Sequence, residues 1–320
     1  YMVFDTAIVK NVILNIQNCK NKKATKIKID KSENDFKEGK FNLKVINQNV
    51  FLGLKNFRFE TKDISKLLDL KNKIHANSIR LEQICLIAYG ARLNHKTEKI
   101  GKEKYIYQDF KPNYKPFTEG KNIERFIFTH NAWLDYQPEI HYNSMFSELF
   151  ENEKIFFINV VKDRLRFAYD NQNYYNSHTV INAVKWNLLK NASHVTVRRN
   201  ITNEKIEVSS NYNYLFLTGI LNSNLINWYF VNFLSESLHF YPDDAKELPI
   251  KEISIFGQKP FIKIVEQIIE HKKTGLETII LEQQIDIMVY KLYDLNYDEI
   301  VTIDPDFKLK KQEYNEFIVQ

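Results

Sequence analysis

The sharpest pattern of apolar and polar positions lies between Lys154 and Ala183. Ile155, Phe156, Phe157, Ile158, Val160 and Val161 form a β-type run, Lys162, Asp163 and Arg164 break it, and Leu165, Phe167 and Tyr169 resume it. This predicts a β-hairpin. A polar loop with Asn171, Asn173, Tyr174, Tyr175, Asn176 and His178 then leads into a third β-branched run, Thr179, Val180 and Ile181. Strands that hold Arg, Tyr, Asn and His in their connecting loops make a rigid platform for a polar partner, and nucleic acid is the first expectation.

On the N-terminal side, Met2–Phe4 and Ile8–Ile16 read as strands, followed by Thr25–Asp30, a charged loop over Lys31–Lys40, and a strand over Phe41–Phe51. Ile64, Leu67, Leu68 and Ile74 have helical spacing, with Thr61 or Asp63 as N-cap. Leu81, Ile84, Cys85 and Ala88 share one face of a second short helix ending at Tyr89–Gly90. Arg92–Lys104 is polar and basic, as expected of a mobile loop, and Tyr105–Gln108 follows as a strand. Pro112, Pro116 and Gly120 mark a turn-rich connection, and Phe126–Thr129 with Trp133–Tyr136 form the next strand pair. His194–Arg198 and Lys205–Ser209 supply two further strands after the hairpin.

The last third changes period. Leu217, Leu221, Leu225 and Trp228 predict one long buried helix over Asn213–Leu234. Phe261, Ile264, Val265, Ile268 and Ile269 form a stripe over Lys259–Lys273. His271, Lys272 and Lys273 before Gly275 mark that helix's C-terminus. Glu277–Leu292 repeats Leu281, Ile285, Met288 and Leu292, so the two helices make a hairpin. The fold class is therefore α+β: a mixed, largely antiparallel β domain with a C-terminal helical hairpin. The expected division is 1–75, 76–250 and 251–320.

With 320 residues, 44% hydrophobic and 14% aromatic, the chain has material for a packed core. Its formal charge of +5 is too mild to imply a polyanion partner. The distribution is more informative. Lys154–Lys205 holds nine cations (Lys154, Lys162, Arg164, Arg166, Lys185, Lys190, Arg198, Arg199, Lys205) against three anions (Asp163, Asp170, Glu204). Two cysteines, Cys19 and Cys85, without CxxC spacing fit a reducing, cytoplasmic setting. Asp5, Lys10, Asn11 and Asn15 interrupt the first apolar run, so neither a membrane span nor a signal segment is expected. The chain opens on Tyr1, as a fragment of a longer protein would.

No GxGxxG, Walker loop or Asn/Asp-Pro-Pro-aromatic tetrapeptide is present, so methyl transfer is not expected to reside in these residues. The eight histidines lack metal-ligand spacing, and no metal site is expected. Asp109 with Glu119-Gly120-Lys121 satisfies a loose D…ExK pattern of Mg²⁺-dependent nucleases. ExK recurs at Glu38-Gly39-Lys40 and Glu60-Thr61-Lys62, and glycine at the middle position favours a turn over the strand that pattern needs. Arg164, Arg166, Arg198 and Arg199 offer bidentate donors for phosphate or guanine, or else form a solvated strand face. Tyr174, Tyr175 and His178 are placed to stack or hydrogen-bond at a base edge, or to cap the core beneath their loop.

Five segments in order, GKNIERF (Gly120–Phe126), VVKDRLRFAYDNQNYYNSHTV (Val160–Val180), YLFLTGILNSNLINWYF (Tyr214–Phe230), ELPI (Glu247–Ile250) and EQQIDIMVYKLYDLNYDEI (Glu282–Ile300), resemble one family. It is the TaqI-like C-terminal specificity, or target-recognition, domain of type IIG restriction–modification and adenine-specific DNA methyltransferases. That family is similar to the recognition halves of type I specificity subunits. The chain departs from the family pattern at Asn122, and at Lys162 where glycine is frequent. Residues 1–18 resemble the closing strands of the methyltransferase core.

The resemblance implies a non-catalytic part that docks double-stranded DNA and reads a short site. An N-terminal methyltransferase domain of the same polypeptide would flip and methylate adenine, and S-adenosylmethionine is expected there, with no cofactor in this chain. The family's motif positions fall on Gly120, Lys121, Arg125, Asp163, Arg164, Tyr174 and Tyr175. The full set of candidate DNA contacts is Arg92, Lys96, Lys121, Arg125, Lys162, Arg164, Arg166, Tyr175, His178, Arg198 and Arg199. The loops Gly90–Lys104 and Asn131–Ser144 and the Arg198–Arg199 edge are the expected readers. The alternatives are a protein-interaction adaptor working through the C-terminal helices, and the Mg²⁺-dependent nuclease.

Overall fold

The computed structural model describes residues 24–29, 37–40, 42–47, 49–52, 65–130, 132–234 and 239–319. The strands expected at Met2–Phe4 and Ile8–Ile16 and the N-caps Thr61 and Asp63 lie outside them. The chain divides into two compact units, Tyr1–Asn72 and Lys73–Gln320. In the first, β1 (Ala24–Ile29) and β2 (Asn42–Asn47) pair antiparallel. The helix expected from its apolar spacing runs Ser65–His75.

The second unit contains the remaining strands: β3 (Ser78–Arg80), β4 (Cys85–Tyr89), β5 (Arg92–His95), β6 (Ile106–Tyr107), β7 (Lys115–Thr118), β8 (Ala132–Leu134), β9 (His141–Asn143), β10 (Lys154–Ile158), β11 (Phe167–Asp170), β12 (Tyr175–Asn176), β13 (Val180–Lys185) and β14 (Pro249–Lys251). The main sheet has the order β11-β10-β13-β4 and is antiparallel throughout. Its central strands are β10 and β13, and the hairpin read from the sequence supplies β10 and the edge strand β11, with Phe156 opposite Ala168 in the hairpin and Phe157 opposite Ile181 of β13. A second sheet has the order β12-β7-β8-β6, and only β12–β7 within it is parallel. Leu86 and Val184 of the first sheet share a core with Phe117, Leu134 and Tyr175 of the second.

The opposite face of the main sheet lies under helices. Phe157 and Phe167 meet Phe240 there, and Phe240 meets Phe230. The helical part comprises α1 (Val195–Asn200), α2 (Asn203–Ser210), α3 (Tyr214–Leu221), α4 (Asn224–Tyr229), α5 (Ile255–Thr274), α6 (Ile279–Leu292), α7 (Tyr297–Ile303) and α8 (Lys311–Glu316). The hairpin α5–α6 matches its periodicity, and Gly275 caps α5 at φ 74°, a left-handed conformation that glycine adopts without penalty.

Six local expectations fail for identifiable reasons. The helix Leu81–Ala88 stops after one turn at Ile84, and Cys85–Tyr89 continues as a strand. Cys85, Leu86 and Ile87 are buried together, and a run buried on both faces has no period that separates strand from helix. His194–Arg198 and Lys205–Ser209 are helical, because His194 Nδ1 accepts from Thr196 N at 3.3 Å and Thr202 Oγ1 from Lys205 N at 3.2 Å. These caps outweigh the β-branched residues between them. The long helix over Asn213–Leu234 breaks at Asn222–Ser223 and ends in a π-turn, Phe230–Leu234. Arg92–Lys104, expected to be a loop, contains β5, which pairs with β9. At Phe126–Thr129 there are isolated bridges and no strand, since Phe126 sits at φ 73°.

One polar feature lies inside this apolar frame. Lys154 opens β10 directly opposite Asp170, the last residue of β11. Both side chains are fully buried, with Nζ 2.5 Å from Oδ2. Nζ also donates to Phe150 O and, at 3.1 Å, to Asn152 O. Asp170 accepts from Gln172 N at 2.8 Å and Tyr174 N at 3.0 Å. Lys154→Met alone therefore leaves a buried carboxylate without its cation, and the expected loss is about 3–5 kcal/mol by urea denaturation. Lys154→Met with Asp170→Asn removes the charge and keeps one of the two loop acceptors, and the double variant is expected to be the more stable of the two.

Candidate nucleic-acid interface

The candidate site is set by a backbone junction between the main sheet and the polar loop. Gly90 N donates to Val180 O, Ala91 N to Asn176 O, and His178 N to Ala91 O, all at 2.9–3.0 Å. Such close approach requires glycine at position 90, where a Cβ would stand 2.1 Å from Asn176 Oδ1 and 2.5 Å from Ser177 O. Asn176 and Asn182 are buried and exchange amide hydrogen bonds at 2.7 and 3.0 Å. His178 is thereby presented at the surface next to Arg92, the first residue of β5.

Partial burial, Arg92 and Lys102 together hold the His178 imidazole below its usual pKa. Lys102 forms an ion pair with Glu119, and Lys121 Nζ lies 3.8 Å from the same carboxylate. The Arg92 guanidinium stands 6.0 Å from the ring of Tyr142, which is 62% exposed. Arg92, Lys102 and Lys121, with one charge offset by Glu119, leave this surface net positive, and the His178 imidazole and the Tyr142 ring lie beside Arg92. Lys102 and Tyr142 were not named as individual contacts, although both lie in the loops Gly90–Lys104 and Asn131–Ser144 that were expected to read DNA. Lys96 is exposed, with Nζ donating to Glu139 O.

Arg125, Arg164 and Tyr175 are placed otherwise than as DNA contacts. Arg125 pairs with Glu282 of α6 and donates at 2.9 Å to Asn222 O, to which Arg164 also donates at 2.9 Å. Tyr175 is 1% exposed, with its hydroxyl donating to Glu151 at 2.8 Å and its ring stacked 4.5 Å from Phe150. Arg166 pairs with Asp163 inside the β10–β11 turn at 2.9 Å, where Lys162 is exposed. Arg198 and Arg199 are exposed on the last turn of α1, where cations complement the helix dipole.

The arginine pair closes a charged junction between the main sheet and the helical hairpin. Burial works to raise the Glu282 carboxyl, but Arg125 with the hydrogen bonds from Lys272 and Thr278 outweighs it and holds the pKa low. Asp286, which accepts from Asn224 N at 2.7 Å, is instead pushed up to about 6 by burial. For the nuclease pattern, Asp109 is exposed in a loop and Glu119 is engaged by its lysines. Among the described residues no cluster of three His, Cys, Asp or Glu could hold a metal, and no helix is long and apolar enough to cross a membrane.

Residues 115–250 match the model of the TaqI-like C-terminal specificity domain. The matched span contains four of the five segments that carried the resemblance, and Glu282–Ile300 lies beyond it. The TaqI-like span also contains Lys121, His178 and both inward-turned arginines, whereas Arg92 and Lys102 precede it. Among solved structures, the chain is similar to the Type IIL restriction–modification enzyme MmeI in complex with DNA. Identity there is 10%, the likeness covers 75% of this chain and 37% of that one, and the TM-score is 0.48. The HsdS subunit from Thermoanaerobacter tengcongensis matches at 13% identity, 71% and 50% coverage and TM-score 0.34. A structure of the type I R-M system matches at 12%, 68% and 45%, and 0.33. The chain spans between about a third and half of the length of these proteins. No curated protein matches it.

Asp286 gives the junction a pH signature. An unfolded aspartate titrates near ~3.9, so between roughly pH 4 and 6 the folded chain binds the additional proton, and stability falls as pH rises through that window. Asp286→Asn removes this term while keeping an acceptor for Asn224 N. Relative to wild type, the variant is expected to gain on the order of 2–3 kcal/mol between pH 4 and pH 7 by urea denaturation. An identical difference at both pH values would show that Asp286 does not titrate there.

Proposed function

We propose that this chain is the DNA sequence-recognition part of a restriction–modification adenine methyltransferase. The observation that carries the reading is the surface of Arg92, Lys102, Lys121 and His178 assembled at the edge of a TaqI-like specificity domain. Phosphate contacts from these cations would supply affinity, and the loops beside them would read base edges of duplex DNA. Residues 76–250 carry recognition in this reading, 251–320 brace it, and 1–75 lead from a methyltransferase domain of the same polypeptide. S-adenosylmethionine and the chemistry on adenine belong to that domain. The natural setting is the cytoplasm, where the DNA is.

Mobility-shift titrations with duplex DNA at two salt concentrations test the proposal. Binding is expected to weaken steeply with salt, and Arg92→Ala with Lys121→Ala to lower the log–log slope by roughly 2. Lys263→Ala, an exposed cation on α5, is the charge control and should leave the slope unchanged. Binding absent at low salt, or indifferent to salt, overturns the reading. A second reading, a protein adaptor, is favoured by Leu276, Ile279 and Ile280, which are 59%, 62% and 79% exposed near the α5–α6 turn. It requires that the Arg92 and Lys121 substitutions leave all binding intact.

A further inference from the structure

The second sheet turns an aromatic row outward. Strand register sets Tyr107 opposite Trp133 and Trp133 opposite Pro116. Ala132, Leu134 and Phe117 point into the core, so strand alternation sends Trp133, Tyr107 and Pro116 to the outer face. Phe110 lies 4.8 Å from Trp133, His130 4.9 Å from Trp133, and Tyr174 5.8 Å from His130. Beside them Tyr107 and Tyr114 lie 5.0 Å apart, with the Lys111 ammonium 5.0 and 5.7 Å from their ring centres.

Rings that merely closed the core would be covered. Phe110 is instead 62% exposed, and His130 is exposed on the other side of Trp133. The charge around the row identifies its partner. Residues 104–115, which supply Tyr107, Phe110, Lys111 and Tyr114, hold three cations, Lys104, Lys111 and Lys115, against one anion, Asp109. Aromatic faces interleaved with cations fit a polyanion that has π-faces of its own, which is a nucleic acid with unstacked bases. Duplex DNA fits poorly, because its bases cover one another's faces and leave none for a protein ring to stack on. A neutral peptide would leave the cations unanswered.

We propose that the outer face of this sheet, centred on Trp133 with Phe110, His130 and Lys111, is a stacking surface for unpaired nucleotides of a single strand. It is separate from the duplex contacts at Arg92 and stands whether or not those are correct. Trp186 is buried, and Trp133 and Trp228 are both half-buried, so the Trp133→Phe variant assigns the emission signal to Trp133. Oligothymidylate of about twelve nucleotides is expected to quench tryptophan emission saturably at low salt, while a duplex of the same length and heparin do not.

Trp133→Phe should abolish the quench with circular dichroism unchanged. Phe110→Ser, at a ring too exposed to hold the fold, should weaken binding about tenfold. No quench at low salt, equal quenching by heparin, or a quench that survives Trp133→Phe overturns the proposal. Duplex binding lost while oligothymidylate still quenches would overturn the duplex reading alone.

Discussion

The buried ion pair of Lys154 and Asp170 is the constraint on which the rest of the two-sheet part of the chain depends. Removing two charges from water costs about as much as their attraction returns, so the pair's consequence is register more than net stability. A slip of one residue between β10 and β11 would place one charge in the core without its partner. Asp170 also holds the amides of Gln172 and Tyr174. The start of the polar loop is therefore fixed by the same carboxylate that fixes the hairpin. Its far end is fixed by the Asn176–Asn182 amide pair and the backbone junction at Gly90. Between these buried clasps the chain emerges at His178, beside Arg92.

A parallel logic ties the main sheet to the helices. Asn222 accepts from Phe167 N through its side-chain oxygen and donates back to Phe167 O, while its own carbonyl receives Arg125 and Arg164. The helix over 213–234 must break for that carbonyl to be free, since an intact helix would use it. Ser223 then starts α4 by accepting from Ile226 N at 3.3 Å. The break is thus the means by which two guanidiniums and Glu282 join β-sheet to helical hairpin.

These connections explain what was legible in the sequence and what was not. The hairpin 154–170, the strand after His178 and the α5–α6 hairpin follow from local period and capping, and the structure contains them. The fold class and the TaqI-like resemblance followed from segments whose order along the chain is itself local information. The roles of the arginines did not follow, because Arg125 meets Glu282 across 157 residues. An arginine aimed at phosphate and one buried against a carboxylate look identical in one dimension. Lys102 and Tyr142 lay within the expected loops but were not singled out, because each is an ordinary residue of a polar stretch, and the β5–β9 pairing brings Tyr142 to Arg92 while the 3-10 turn at Lys102–Tyr105 brings Lys102 towards His178.

The same division between buried clasp and open surface bears on how such a domain could change what it presents to a partner. Residues that set the frame, Lys154, Asp170, Asn176, Asn182, Gly90 and Asn222, are polar or small groups satisfied by one another or by backbone, so each tolerates almost no substitution. The residues at the surface have no such coupling. Arg92 and His178 are positioned by main-chain hydrogen bonds at Ala91 and Ser177–His178, which any side chain other than proline at 92 or 178 would leave intact. Substitution at those two positions therefore alters the chemistry presented to a partner without disturbing the hydrogen bonds that present it.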